Sequence, residues 1–340
     1  MNFSILGCGS IGSRHVQTLL KLKGKYNINQ IKIYDENKIR SINLSKQSKI
    51  IYPTNSLKEC LVNTDITYIC LPTNLHVETI NNVIDIGVKN IFVEKPFSHK
   101  LNGCEEIVHK VQKLNVKLYV GYMLRFHPVI DELKNILDKK IIGKVINVRA
   151  ESGFYLPSWH PWEDYREFYM SSKFGGGGVL LDTSHEFDYL YYLFGNIKSC
   201  QGIYSTISDL EIRSDDYSSS IIEFENNIFG EVHLDLLQPN ESRYCKIIGT
   251  KGVIIADLKN QNIAVSTVKK PSWKNKNIKV NFDKIYLAEI STLLDSVLGR
   301  KNKQITNLSN IYDSLHIMEV IEAIRLSSST GSRIRLPIYD

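Results

Sequence analysis

A short apolar run, Phe3-Ser4-Ile5-Leu6, passes directly into Gly7-Cys8-Gly9-Ser10-Ile11-Gly12. A strand followed by G-x-G-x-x-G leaves few folds open. The first glycine gives a tight turn, the second lets the backbone approach a pyrophosphate, and the third lets the next helix pack on the strand. That helix then presents N–H groups without intrahelical acceptors and a partial positive charge. Glycine-rich turns are common, so the surroundings decide. Ile5 and Leu6 predict a buried strand. Ser13 to Leu22 predicts a helix with Val16, Leu19, Leu20 and Lys23 near one face. Gln30-Ile31-Lys32-Ile33-Tyr34-Asp35 predicts a second strand ending in an acid. Asp35 lies 23 residues after Gly12, close to the ~20 expected of a ribose-binding carboxylate. Gly7, Gly9, Ser10, Ile11, Gly12 and Asp35 are therefore the expected dinucleotide contacts. Asp35 is suited to accept hydrogen bonds from both adenosine ribose hydroxyls and to repel a 2′-phosphate. This favours NAD over NADP, although Lys38 and Arg40 lie close enough to keep NADP open.

The alternation continues. Asp65 to Leu71 predicts a buried parallel strand ending at Pro72-Thr73-Asn74, and Leu75 to Ile86 a helix stopped by Gly87. Asn90 to Glu94 is the next strand, closed by Lys95-Pro96. A helix over Leu101 to Leu114 and a strand over Lys117 to Gly121 follow. Such a pattern gives a parallel sheet with helices on both faces, and ligands bind outside the carboxyl ends of its strands. Pro72, Thr73, Asn74, His76, Glu94 and Lys95 fall at or beside those ends and join the expected cofactor contacts. Tyr122 falls there too.

Beyond residue 121 the period changes. Ile146 to Phe154 alternates as a half-buried strand does. Tyr217 to Phe224 and Ile228 to Leu236 predict a hairpin around Asn226-Asn227, and Arg243 to Ile248 with Val253 to Asp257 another. Helices are predicted at Gly178–Phe194, Tyr286–Leu298 and Ser309–Ser327. The expected fold is α/β: a Rossmann parallel sheet over 1–121, then an α+β domain over 122–340 with a large, mainly antiparallel open sheet. The second domain is expected to bind substrate and, through one sheet face left uncovered and apolar, to mediate oligomerisation.

At 340 residues two domains are expected. No run approaches the ~18 apolar residues of a membrane span, and a signal peptide would have to be cut from within the glycine loop. A cytoplasmic protein is expected. The six cysteines form no C-x-x-C or zinc spacing, which suits unpaired thiols in a reducing compartment. The net charge of +6 has no concentrated block, so no nucleic-acid or membrane partner is expected. The densest basic stretch, Lys269 to Lys276, reads as a surface loop.

Three clusters carry chemistry. Lys95, at a strand end beside Pro96, is suited to donate to a substrate hydroxyl or carbonyl oxygen. Gly175-Gly176-Gly177-Gly178 leads into Asp182, His185, Glu186 and Asp188 at near-helical spacing, which puts Asp182, His185 and Glu186 on one face. Histidine is the usual proton carrier near neutral pH and a carboxylate can fix its tautomer. The set also permits a metal, but no second His/Cys cluster supports one, and none is expected. Third, Tyr122 to Pro128 and Tyr155 to Arg166 are dense in aromatic, Arg and His residues. Tyr122, Arg125, Trp159 and Arg166 are the expected substrate wall.

In this order and spacing, the glycine loop, Glu94-Lys95-Pro96 and the Gly-rich segment before Asp182 and His185 resemble the glucose–fructose oxidoreductase / inositol dehydrogenase / MocA (Gfo/Idh/MocA) family over essentially the whole chain. The resemblance implies NAD(P)-dependent hydride transfer at a sugar or polyol carbon, Lys95 at the reacting carbon, a Lys95-Pro96 peptide that is often cis, and homodimers or homotetramers packed through the second sheet. Most members read D-x-x-x-H; this chain is one residue shorter, Asp182-Thr183-Ser184-His185. His185 is the better registered, and Asp182, His185 and Glu186 all stay candidates for the acid/base. The segments Tyr155–Arg166 and Gly175–Gly195 resemble a branch often found with bacterial surface-sugar genes, which implies a nucleotide-activated sugar, with a nine-carbon sugar of the sialic-acid type among the options. The expected function is hydride exchange with a secondary alcohol carbon of a sugar, with Lys95, His185 and Asp182 catalytic. The alternative is a non-catalytic NAD(H)-binding regulator on the same fold.

Overall fold

The computed structural model describes residues 1–159 and 161–338. His160, in the aromatic segment singled out above, lies outside the described residues. Internal contacts divide the chain into two units: Met1–Met123 with Phe282–Leu315, and Leu124–Asn281 with His316–Asp340.

The first unit is built on β1 (Asn2–Leu6), β2 (Gln30–Tyr34), β3 (Ile51–Pro53), β4 (Ile66–Ile69), β5 (Asn90–Glu94) and β6 (Lys117–Gly121). They pair in parallel in the order β3-β2-β1-β4-β5-β6, with a two-residue strand, Ser309–Asn310, antiparallel beside β6. Every residue of β4 is buried, as an apolar strand inside a parallel sheet requires. Helices α1 (Ser10–Tyr26), α2 (Lys38–Ser45), α3 (Leu57–Leu61), α4 (His76–Asp85) and α5 (Cys104–Leu114) connect the strands. α1 starts earlier and ends later than periodicity predicts, and it buries His15 with Val16, Leu19 and Leu22. The short elements β3, α2 and α3 carry too little periodicity to be read in advance. α3 is fixed by chemistry: the Ser56 side chain accepts from the Glu59 N–H at 3.1 Å, and the Glu59 carboxylate accepts from the Asn55 N–H at 2.8 Å.

The second unit contains β7 (Val145–Gly153), β8 (Ile197–Ser205), β9 (Tyr217–Phe224), β10 (Phe229–Asp235), β11 (Ser242–Gly249), β12 (Gly252–Asp257), β13 (Asn262–Thr267) and β14 (Lys270–Asn277). The sheet order is β14-β13-β12-β11-β7-β10-β9-β8, with Ile334–Arg335 beyond β8. All pairs are antiparallel except β10 with β7. Helices α6 (Pro128–Asp138), α7 (Val179–Asp182) and α8 (His185–Phe194) pack on this sheet.

Three expectations need correction. Lys269 to Lys276 is not a loop; β14 is a fully exposed edge strand, and its lysines are the residues that discourage edge-to-edge pairing. The helix expected over 178–194 is two helices broken at Thr183-Ser184. There the 184 and 186 amides donate three residues back, to Leu181 and Thr183, rather than four. The open face of the second sheet is not an apolar surface. Ile203, Ile221 and Phe229 are exposed on it, but the Arg149–Glu231 ion pair and a Glu151, Tyr244 and Ser242 network interrupt them.

After β14 the chain returns to the first unit as α9 (Phe282–Val297), which packs on α1, and α10 (Ile311–Thr330) runs from the first unit into the second.

Candidate active site

The parallel strands of the first sheet all deliver their following residues to one edge. The glycine loop follows β1, Asp35 follows β2, Pro72-Thr73-Asn74 follows β4, Lys95 follows β5 and Tyr122 follows β6. Gly7 has a φ of +96°, and a Cβ there would stand 2.4 Å from the Cys70 carbonyl oxygen. A Cβ on Gly12 would stand 2.0 Å from the Gly7 carbonyl oxygen. Gly9 differs: among the described residues, no heavy atom other than its own and those of its chain neighbours lies within 4 Å of where its Cβ would be. The two outer glycines are thus needed for the turn's own packing, and the middle one leaves room for an approaching group. That geometry fits a pyrophosphate over the α1 N-terminus, where Ser10, Ile11 and Gly12 open the helix.

Asp35 is buried, and no cation among the described residues forms an ion pair with it. Its Oδ2 accepts from the Cys8 N–H at 2.7 Å and its Oδ1 from the Asn37 N–H at 2.8 Å. Each carboxylate oxygen can accept more than one hydrogen bond, so the ribose-binding role keeps its acceptors. The Lys38 ammonium donates to the Thr54 and Asn55 carbonyls.

Pro72 is exposed, Thr73 buried and Asn74 half-buried. His76 is buried, with its ring nitrogens 3.0 Å from the Pro96 oxygen and 2.9 Å from the Leu71 oxygen. Burial pushes its pKa down against the opposing effect of the Leu71 and Pro96 carbonyls, and the ring lies between the loop after β4 and the loop after β5. Glu94, expected among the cofactor contacts, turns its Oε1 to the buried His15 Nε2 at 2.6 Å, and its Oε2 accepts from the Lys95 N–H at 3.2 Å. Lys95 is half-buried and the Lys95-Pro96 peptide is cis. Tyr122 is buried.

In the second unit, the glycine run ends at Gly178, whose φ is +109° and whose Cβ would stand 2.2 Å from the Asp215 carboxylate. Asp215 accepts the Leu180 N–H at 2.9 Å and so fixes the start of α7. Asp182 ends α7 and accepts from the Tyr169 hydroxyl. His185 opens α8 and is 8% exposed. The break between the helices overturns the expectation of one shared face for Asp182, His185 and Glu186. Glu186 is fully buried and holds Arg243 in a two-point pair, Nε to Oε1 at 2.8 Å and Nη2 to Oε2 at 3.0 Å. Asp188 is fully buried and accepts from Arg125 Nε at 3.0 and 3.1 Å and from Nη2 at 2.8 Å.

Arg125 therefore departs from the expected substrate wall: it is 2% exposed and its fork is matched to Asp188. Arg166 is exposed and paired with Asp164 and Glu211. Trp159 is 45% exposed and packs on Phe154 with ring centroids 4.7 Å apart. His15, Arg243 and Tyr169 escaped the sequence reading. His15 alone carried a signal, lying three residues beyond Gly12 on the face shared with Leu19.

Residues 1–122 match the oxidoreductase family's NAD-binding Rossmann fold, and residues 134–336 match its C-terminal alpha/beta domain. The chain belongs to the Gfo/Idh/MocA oxidoreductase family. It is an NAD-dependent oxidoreductase of a family acting on alcohol groups. It is 27% identical over 347 residues to scyllo-inositol 2-dehydrogenase (NAD(+)) of Bacillus subtilis, covering 98% of this chain and 96% of that protein. Two solved structures share the fold. Levoglucosan dehydrogenase, in complex with NADH and levoglucosan, has a TM-score of 0.86 at 16% identity and covers 99% of this chain and 99% of its own. The WlbA dehydrogenase of Bordetella pertussis, in complex with NADH and UDP-GlcNAcA, has a TM-score of 0.83 at 19% identity, covering 99% of this chain and 98% of its own. No helix among the described residues is long and apolar enough to cross a membrane.

Proposed function

We propose that this family member uses NAD to oxidise or reduce a secondary alcohol carbon of a sugar, and that the sugar is a nucleotide-activated one used in surface glycan synthesis. The observation that carries the reading is Lys95 at the end of β5, on the same sheet edge as the glycine loop and Asp35. Gly7, Gly9, Ser10, Ile11 and Gly12 hold the pyrophosphate, and Asp35 the ribose. Bound NAD supplies the acceptor or donor for one hydride. The Lys95 ammonium donates a hydrogen bond to the substrate oxygen and stabilises the negative charge that grows on it. In the oxidative direction His185 takes the hydroxyl proton as the C–H hydride departs. In the reductive direction it returns that proton. Asp182, anchored by Tyr169, orients the imidazole. Glu186 takes no proton in this scheme, because its carboxylate is engaged by Arg243.

The nucleotide-sugar preference draws on the dehydrogenase complexed with UDP-GlcNAcA, together with the exposed aromatic segment that carries Trp159 and Trp162. It is tested by NADH formation from NAD with scyllo-inositol, levoglucosan and UDP-GlcNAcA side by side. Turnover of UDP-GlcNAcA well above the other two supports it. Turnover confined to the inositol or the anhydrosugar removes the nucleotide from the proposal.

A further inference from the structure

His15 sits one turn inside α1, the helix whose N-terminus follows the glycine loop. Its side chain is fully buried, with the rings of Tyr68 and Phe92 at 5.3 Å and Tyr286 at 6.1 Å between centroids. An imidazole in such an apolar cage is costly unless hydrogen-bonded. Nδ1 has no partner among the described residues, and Nε2 lies 2.6 Å from Glu94 Oε1. Nε2 is therefore the ring nitrogen placed to donate to the carboxylate.

Glu94 is confined from other sides as well. Its second oxygen accepts from the Lys95 N–H at 3.2 Å. Across the β5–β6 ladder it faces Gly121, where a Cβ would stand 3.2 Å from both carboxylate oxygens and 2.9 Å from Phe92 Cζ. The carboxylate thus occupies a slot cut for it between an imidazole, an amide and a bare backbone.

We propose that His15 is a positioning residue: through Glu94 it fixes the backbone from which Lys95 extends, and so joins the phosphate-binding helix to the lysine that holds the reacting oxygen. This rests on the role proposed above for Lys95. A shift of ~1 Å in a reacting group is enough to cost ~10²-fold in rate, so loss of the His15 donor should appear in kcat.

The test separates a positioning role from a packing role. His15→Phe keeps a ring in the aromatic cage and loses the donor. His15→Gln loses the ring and keeps a donor at the same reach. With saturating NAD and whichever of scyllo-inositol, levoglucosan or UDP-GlcNAcA is turned over fastest, we expect His15→Phe to lower kcat by ~10²-fold. KM for NAD should change little, and His15→Gln should restore most of the rate. Should His15→Phe fail to fold, Gly121→Ala displaces the same carboxylate with His15 intact and should also lower kcat. Lys95→Ala runs alongside. If Lys95→Ala is inactive while His15→Phe and Gly121→Ala match the parent, His15 does not position Lys95. The same holds if His15→Phe outperforms His15→Gln. If Lys95→Ala turns over normally, the role of Lys95 fails and the proposal fails with it.

Discussion

The Glu186 carboxylate and the Arg243 guanidinium meet in a two-point pair, with Nε and Nη2 donating to Oε1 and Oε2 at 2.8 and 3.0 Å. Glu186 is fully buried, so its charge is tolerated only because Arg243 answers it. Arg243→Met should leave that carboxylate buried and unpaired and cost about 3–5 kcal/mol of stability. Urea unfolding measures this; a midpoint equal to the parent's would show that the pair does not hold the second unit together.

The acid/base assignment makes a separate prediction. His185→Ala should lower turnover by ~10²–10⁴-fold and remove one limb of the pH profile. Asp182→Asn should cost less, because it disturbs orientation and leaves the proton carrier in place. Near-normal activity in His185→Ala together with inactivity in Asp182→Asn would move the role to the carboxylate.

For the cofactor, Asp35 implies tighter binding of NAD(H) than of NADP(H). Asp35→Ala should narrow the gap by removing repulsion towards a 2′-phosphate. It also removes the acceptor for the Cys8 N–H, so binding of both cofactors should weaken. Fluorescence titration of both reads the result; equal or tighter NADP(H) binding by the parent contradicts the assignment.

On the open face of the second sheet, His233 Nε2 lies 2.8 Å from Asp235 Oδ2. The Asp235 hydrogen bond raises the His233 pKa against the opposing effect of burial. A raised folded-state pKa means stability that is fully present below the unfolded value of about 6.5 and is lost as pH rises through the folded value. His233→Gln should flatten the thermal stability profile across that window and leave the profile at higher pH unchanged. An unaltered slope between the two pKa values would rule the pair out as its source.

The family resemblance and this face together predict a homodimer or homotetramer packed sheet to sheet. The interface would be mixed, with Ile203, Ile221 and Phe229 set among the Arg149–Glu231 pair and the Glu151 network. A monomer by light scattering at micromolar concentration counts against it, and Ile221→Lys should shift an existing oligomer towards monomer.

Much of the fold was legible because its signals are local. Buried strands such as Ile66–Ile69 and the two hairpins of the second sheet follow from apolar runs and turn residues close in sequence. The glycine loop and Asp35 are marked by their spacing together with the predicted strands and helix around them. What stayed hidden depends on partners far along the chain. Nothing near Glu186 in sequence reveals that Arg243 answers it, and Arg125 reads as a ligand-binding cation until Asp188 is seen inside the same core. The break at Thr183-Ser184 was equally invisible, since Leu180 and Asp182 suit a helix and the anchor that fixes α7 is the distant Asp215. β14 lacks the alternation of a half-buried strand because both its faces are exposed.

In the proposed mechanism Lys95, at the edge of the NAD-binding sheet, acts on the oxygen of a sugar alcohol. The most direct measurement is NADH formation by the parent and by Lys95→Ala with scyllo-inositol, levoglucosan and UDP-GlcNAcA, with NADH binding to each protein measured by fluorescence. We expect turnover of at least one of the three by the parent, loss of that turnover by orders of magnitude in Lys95→Ala, and NADH affinity nearly unchanged between them. Equal turnover by both proteins, or tight NADH binding by a parent that reduces no NAD with any of the three, would contradict it.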